Sequence, residues 1–306
     1  MLVNNFTRFI HRSVIKSNLE EFFVALRSRV NVVRKFIPLS LRHRFTSIGK
    51  FIPQSASYPK NDRYLLTRDH THFEINRSDY VQWRIFYGVR DNALLVAKKY
   101  LSPDSVVLDI GANFGSFSLR LATYANEQKL SNVTIHAFEP NPDVQKNFQK
   151  NLSLNQALNS LIQLHPFGLG NEKGKQTFQY DWVNTGAGRI VISKTTEQIT
   201  ISTERLDDWV QTMDIKNISF IKMIVEGFEP QVFRGSWQTI KKHKPPIFFE
   251  VTPGWYAENN SSLSEILDQL RTLGYSFRAE KYNELVPYDP AGFEDLMQFN
   301  MLASIE

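Results

Sequence analysis

Val106-Val107-Leu108-Asp109-Ile110-Gly111-Ala112-Asn113-Phe114-Gly115-Ser116 packs a strand, a turn and a helix start into one short stretch. The apolar run Val106, Val107, Leu108 and Ile110 suits a parallel strand buried on both faces, with Asp109 near its end. Gly111 and Gly115 bracket the turn, where glycine tolerates positive φ and has no β-carbon to hold a ligand away from the backbone. Ser116 then opens a helical pattern with Phe117, Leu119, Leu121 and Ala122 on its core side, so the first helical amides should face whatever lies over the turn.

A second strand, 133–138, delivers Glu139 at its carboxyl end. In a doubly wound sheet, ligands sit outside these ends, and an acidic residue there can accept hydrogen bonds from both hydroxyls of a ribose. The glycine spacing is G-x-x-x-G, whereas a pyrophosphate-binding turn wants G-x-G-x-x-G, so a nucleoside cofactor without a pyrophosphate fits better than a nicotinamide dinucleotide. A glycine turn alone can be no more than a tight turn; Glu139 at the expected distance is what makes it a pocket.

The composition narrows the classes. The chain has 306 residues, 42% of them hydrophobic, enough for a sizeable core. It has no cysteine, which removes disulfides, thiolate metal sites and cysteine nucleophiles. His70 and His72 alternate with threonines and have no third ligand nearby, so they read as surface histidines and no metal site is expected. The net charge of +5 is uneven: residues 1–53 hold ten Lys or Arg against Glu20 and Glu21, which leaves the rest slightly acidic. A nucleic-acid groove across the main domain is therefore not expected.

Outward from the turn, residues 4–37 carry apolar side chains at helical intervals up to Pro38, too interrupted for a signal peptide and too short for a membrane span. This basic amphipathic segment can pack on its own domain, lie on an anionic membrane surface or dock a partner. A proline-bearing connection follows, placing an extension and linker at 1–60 and the main domain at 61–306. An aromatic stretch broken at Gly88 precedes the first strand. A helix is predicted from Pro142, a third strand at 161–167 ending in Gly168-Leu169-Gly170, and a hairpin excursion over 176–201. Strands at 219–225 and 245–251 follow, then a helix ending at Gly274 and closing strands at 275–279 and 297–303. Lys222, inside a strand buried on both faces, must find a carboxylate or take part in chemistry.

Several of these motifs, in this order, resemble the FkbM family of S-adenosylmethionine-dependent methyltransferases: the run 107–115, Ala137-Phe138-Glu139-Pro140-Asn141-Pro142, Gly168-Leu169-Gly170-Asn171, Leu206-Asp207-Asp208, Ile221-Lys222 with Val225-Glu226-Gly227-Phe228-Glu229, and Phe249-Glu250-Val251. The resemblance runs from about residue 105 to 251 and leaves 1–60 uncovered. It implies an α/β Rossmann-like class I methyltransferase fold, with a seven-stranded, mostly parallel, doubly wound sheet, here following an N-terminal helical extension. It further implies S-adenosyl-L-methionine as cofactor, with Asp109, Gly111, Ala112, Asn113 and Gly115 around its methionine part, Glu139 on the ribose, and Phe167 and Gly168 near adenine. The expected acceptor is a hydroxyl of a glycan, a glycolipid or a small natural product, and the expected location is cytoplasmic with peripheral membrane contact open to the N-terminal helices.

One position departs from the family pattern. Members read Lys-x-Asp-x-Glu-Gly after this strand, and here Ile224 stands where that aspartate belongs. A hydroxyl is a poor nucleophile until a base within hydrogen-bond reach takes its proton. Glu226, Glu250 and His165 remain as candidates, Glu226 first among them, although an acidic residue there also suits the first turn of the next helix. The missing aspartate equally motivates a second reading, a cofactor-binding chain that has lost catalysis and serves as a partner or scaffold. An N-methyltransferase acting on nucleic acid or protein is disfavoured, because Val225-Glu226-Gly227-Phe228 lacks the Asn/Asp-Pro-Pro-aromatic turn.

Overall fold

The computed structural model describes residues 52–179, 198–258 and 260–305, together with 19, 21–24, 26, 184, 185 and 188–190. The expected amphipathic helices of residues 4–37 and most of the connection after them lie outside the described residues, apart from a helical stretch at 21–24.

Strands β1 (Arg63–Arg68) and β2 (Thr71–Asn76) pair as a hairpin. Its turn residues Asp69 and His70 are both left-handed, with φ of 50° and 60°. Helices α1 (Tyr80–Tyr87) and α2 (Asn92–Tyr100) follow, each started by an aspartate, Asp79 or Asp91, whose side chain accepts the amide three residues on. Gly88, at φ 74°, closes α1 in the left-handed conformation. The described residues fall into two compact units, one drawn from 1–66, 73–90 and 182–184, the other from 67–72, 91–181 and 185–306. In the first, the Arg77 guanidinium pairs with Asp62 at 2.6 Å and lies 4.5 and 4.4 Å from the ring centres of Tyr58 and Tyr64.

The second unit is built on one large sheet. In chain order its elements are β3 (Val106–Ile110), α3 (Ser116–Glu127), β4 (Thr134–Phe138), α4 (Pro142–Ser153), β5 (Ile162–His165), β6 (Gly168–Leu169), β7 (Gly174–Gln179), β8 (Arg189–Ile190), β9 (Gln198–Glu204), α5 (Leu206–Thr212), β10 (Phe220–Met223), α6 (Glu229–His243), β11 (Ile247–Val251), α7 (Pro253–Glu258), α8 (Leu263–Thr272), β12 (Ser276–Lys281), β13 (Glu284–Pro287) and β14 (Phe299–Ser304). The sheet order is β13-β12-β14-β11-β10-β3-β4-β5. The five strands from β11 to β5 run parallel, and β14, β12 and β13 add antiparallel pairs at the other edge.

This is the expected Rossmann-like architecture, with one strand more than the seven anticipated. β12 turns back through Tyr282 and Asn283, both left-handed, to make β13. The excursion after β5 is also larger than a hairpin, because β6, β9, β7 and β8 form a separate four-stranded sheet.

Apolar residues decide the layers. Trp209 and Val210 of α5, Val232, Phe233 and Ile240 of α6, and Ile266, Leu267 and Leu270 of α8 bury one sheet face with Leu108, Ile110, Ile221, Met223, Ile247 and Phe249. On the other face Phe117 of α3 and Tyr100 of α2 stack on Phe220, with ring centres 6.4 and 6.0 Å apart. Helix α6 comes so close to the loop after β6 that a β-carbon on Gly235 would sit 1.8 Å from the carbonyl oxygen of Gly170. Gly→Ala in a free helix stabilises by up to about 1 kcal/mol. Gly235→Ala should do the reverse here, costing on the order of 1–3 kcal/mol as α6 is pushed off; denaturant unfolding of the two chains reads the sign.

Candidate active site

The chain leaves β3 to build β4 and β5 on one side, then returns to build β10 and β11 on the other, so neighbouring β3 and β10 form the switch point of the sheet. The carboxyl ends there are where an open α/β sheet binds ligands. The two loops touch through their backbones: the Ile224 amide donates to the Ile110 carbonyl at 3.0 Å, and a β-carbon on Gly111 would lie 1.9 Å from the Ile224 oxygen. Gly111, at φ 80°, is required for that approach.

Asp109 is fully buried in β3, and the parallel register sets it beside Lys222 of β10. Lys222 Nζ pairs with Asp109 Oδ1 at 3.0 Å and donates to the Gly111 carbonyl at 2.6 Å. Ser118 Oγ donates to Asp109 Oδ2 at 2.6 Å. Lys222 therefore has the carboxylate that a buried lysine needs, and it also reaches the turn.

The turn is internally satisfied. The amides of Gly111 and Ala112 donate to the Phe138 carbonyl at 3.1 and 3.0 Å, that of Phe114 to Asn113 Oδ1 at 2.7 Å, and that of Gly115 to the Ala112 carbonyl at 3.1 Å. The turn's own amides, from Gly111 through Gly115, are thus engaged within the turn and with Phe138 and Glu139. A pyrophosphate would need such amides free.

Glu139 stands across this turn. Its Oε2 accepts the Asn113 amide and its Oε1 the Asn141 amide, both at 2.9 Å. An ionised carboxylate offers about four lone-pair sites; one on each oxygen is taken, and one on each remains for a vicinal diol. Burial pushes the Glu139 carboxyl up to about 7 against the pull of those two amides and of Lys222. Phe167 lies edge-on to Phe138, ring centres 5.6 Å apart, at the start of the segment leading to Gly168. Asn113 also donates through Nδ2 to the Thr185 carbonyl at 3.3 Å, which brings the excursion after β7 onto the turn. The glycine turn and the diol-ready carboxylate fit the nucleoside end of S-adenosylmethionine.

At the other end of the switch point, Glu226 and Gly227 are consecutive left-handed residues, at φ 55° and 89°, and Glu226 is half-buried. A β-carbon on Gly227 would lie 2.5 Å from that of Trp255 in α7. Glu250, 7% exposed, is the last residue but one of β11. His165 is elsewhere. It ends β5, three strands from β10, about 14 Å away at normal strand spacing. Its ring bonds His136 at 3.1 Å and stacks on Phe138 at 4.8 Å. Burial lowers both imidazoles, His136 to about 4. His165 is a neutral part of an aromatic layer with Trp209, and the structure does not bring it to Glu226 and Glu250.

The sequence reading passed over Glu229 and Tyr256. Glu229, at the first turn of α6, is completely buried, and its Oε1 accepts the Val225 amide at 2.9 Å. Burial, then the neighbouring Glu250, pushes its carboxyl up to about 8. The Tyr256 hydroxyl donates to the Glu250 carbonyl at 2.6 Å and also contacts the Glu229 carboxyl. The only available signal was the second acid of Glu226-Gly227-Phe228-Glu229. His70 and His72 are exposed, as expected, and among the described residues no cluster of three or more metal-ligating side chains occurs.

Fold and site together define a class I methyltransferase architecture. The family model for the methyltransferase FkbM domain matches residues 109–277, more than half the chain, and the chain belongs to that family. It is 28% identical over 152 residues to Methyltransferase 1 of Beauveria bassiana, covering 43% of this chain and 58% of that protein. It is 28% identical over 211 residues to the 2-O-methyltransferase NoeI of Sinorhizobium fredii, covering 63% and 77%. To the hexuronic acid methyltransferase AglP of Haloferax volcanii it is 28% identical over 155 residues, covering 50% and 59%. The chain thus spans less than two thirds of the first and third of these relatives. No helix among the described residues is long and apolar enough to cross a membrane.

Removing the lysine of the buried pair leaves a charge without its partner. Lys222→Met should cost about 3–5 kcal/mol, and adding Asp109→Asn should restore much of it; equilibrium unfolding of the single and double variants checks both signs.

Proposed function

We propose that this chain is an S-adenosylmethionine-dependent O-methyltransferase acting on a hydroxyl of a glycan or related polyhydroxyl acceptor. The observation that carries the reading is the Glu139 carboxylate, fixed by two amides with a free lone pair on each oxygen, facing a glycine turn whose own amides are committed. That arrangement suits a ribose and does not suit a pyrophosphate. Two relatives, a 2-O-methyltransferase and a hexuronic acid methyltransferase, support a sugar hydroxyl as acceptor.

When bound, S-adenosylmethionine supplies an electrophilic methyl group on a positively charged sulfur, and its loss leaves a neutral thioether. The chain's residues do the rest. Glu139 holds the ribose, Gly111 and Gly115 let Ile224 and Phe148 close on the turn that forms the floor of the pocket, and Phe167 and Gly168 border the base. The Asp109–Lys222 pair fixes the turn, so that alignment of acceptor and methyl carries much of the rate advantage. The acceptor's proton goes to a carboxylate at the β10 and β11 ends, where Glu226 and Glu250 stand. The basic segment 1–60 is part of the proposal as an extension that docks on the domain, a partner or an anionic lipid surface.

Ile224 keeps the second reading, a cofactor-binding scaffold, in view. Calorimetric titration with S-adenosylmethionine and S-adenosylhomocysteine separates the cases. The intact chain should bind both, and Glu139→Ala should lose at least about tenfold in affinity, one to two hydrogen bonds to a charged group. Because the diol needs the ionised carboxylate and Glu139 is raised to about 7, affinity should fall by about tenfold per pH unit below that point and level off above it. No binding by the intact chain would sink the proposal. Binding with no transfer to any of a panel of oligosaccharides would leave the scaffold.

A further inference from the structure

Glu229 presents a hydrogen-counting problem. Its carboxyl is completely buried, yet among the described residues no lysine, arginine or histidine forms an ion pair with it. What faces it are the backbone amides of Val225, Gly227 and Glu229 itself, Glu250 from β11 and the Tyr256 hydroxyl from α7. The Val225 amide bonds Oε1 at 2.9 Å, and Oε2 is buried with no hydrogen-bond partner. Tyr256 cannot supply one, because a phenol has a single hydrogen and this one is donated to the Glu250 carbonyl at 2.6 Å. A hydrogen bond between Glu229 and Tyr256 therefore needs its hydrogen from Glu229. Ionising Glu229 beside the Glu250 carboxylate would also set two like charges together in a poorly screened place.

We propose that Glu229 is a neutral carboxylic acid in the working protein, a positioning residue that holds Glu250 ionised and oriented as the carboxylate that takes the acceptor's proton. The inference rests on the methyltransferase reading above and names its base. Tyr256 fixes the backbone of Glu250, and the Glu229 acid prevents charge repulsion from turning its side chain away. As the acceptor oxygen forms its bond to the methyl carbon, the carbon–sulfur bond breaks with its electron pair left on sulfur. The hydroxyl proton passes to Glu250, which later releases it to solvent. Glu226, half-buried on its left-handed turn, then takes no proton.

The test has a spectroscopic and a kinetic arm. Infrared difference spectra of the full-length protein, stepped across pH 6–10, follow the carbonyl stretch of protonated carboxyl groups. The intact chain should show a buried protonated carboxyl that is lost as pH rises through about 8. Glu229→Gln, which keeps the acceptor for the Val225 amide, should remove that band and leave the one from Glu139. A band unchanged in Glu229→Gln overturns the proposal, and this outcome is independent of any acceptor.

With an acceptor from the oligosaccharide panel, Glu250→Gln should lose about a hundredfold or more in kcat, the size of a general-base contribution, with cofactor affinity kept. Glu229→Leu should lose about tenfold, and Glu229→Gln should recover most of that, since a carboxamide still donates. The intact enzyme should decline above about pH 8 as Glu229 ionises, and Glu229→Gln should not. Full activity in Glu250→Gln with loss in Glu226→Gln would transfer the role to Glu226 and overturn the assignment. Absence of cofactor binding by the intact chain would instead count against the methyltransferase reading while leaving the infrared result standing.

Discussion

The buried pair between Asp109 and Lys222 ties the two halves of the sheet together where they diverge. Lys222 bridges the last residues of β3 to β10 and holds the Gly111 carbonyl, so the turn above the switch point is clamped from below by one ammonium group. Two charges removed from water repay their desolvation only when geometry is good and remaining sites are bonded. Ser118 on Asp109 and Gly111 on Lys222 meet that condition here. The clamp then lets the backbone of the turn bond to itself and to Phe138, which fixes where Glu139 meets Asn113.

From that constraint the rest of the site follows in order. A turn whose amides are all engaged is rigid but offers little to an anion, so recognition passes to the facing carboxylate. The close approach of the Ile224 backbone to Gly111 puts the two loops in one wall. The left-handed pair Glu226 and Gly227 then makes room for Trp255 and turns the chain directly into α6, which buries Glu229.

Much of this was legible because burial on two faces leaves a plain mark. The continuous apolar runs of β3, β4, β10 and β11, and Asn141-Pro142 at the start of α4, identify themselves without tertiary information. Two hairpins were not legible. Tight two-residue turns normally announce themselves with Asn-Gly or Asp-Gly, whereas Asp69-His70 and Tyr282-Asn283 adopt the left-handed pair without glycine. Strand β13 went unread for that reason, and seven strands were expected where eight occur. The partner of Lys222 was equally hidden, since it depends on the register between strands distant in the chain. His165 looked available from its place at a strand end, but the order of strands sets it among aromatic rings at the edge.

The acidic residues of the site also show why identity alone does not assign a role. Asp109, Glu139 and Glu229 are all buried, and each meets a different partner. Asp109 has a cation against it, the Lys222 ammonium at 3.0 Å. Glu139 has two amides but no contact cation, and sits near the midpoint of its titration at neutral pH, where binding a diol can tip it to the charged form. Glu229 has backbone amides but no cation, a phenol already spent and another carboxylate beside it, and burial drives it to the neutral form. Groups whose surroundings push their protonation apart can divide the work of one reaction. In this chain the division runs across the sheet: a charge that holds the fold, a charge that forms on ligand binding, and a proton kept in place so that the neighbouring carboxylate can accept another.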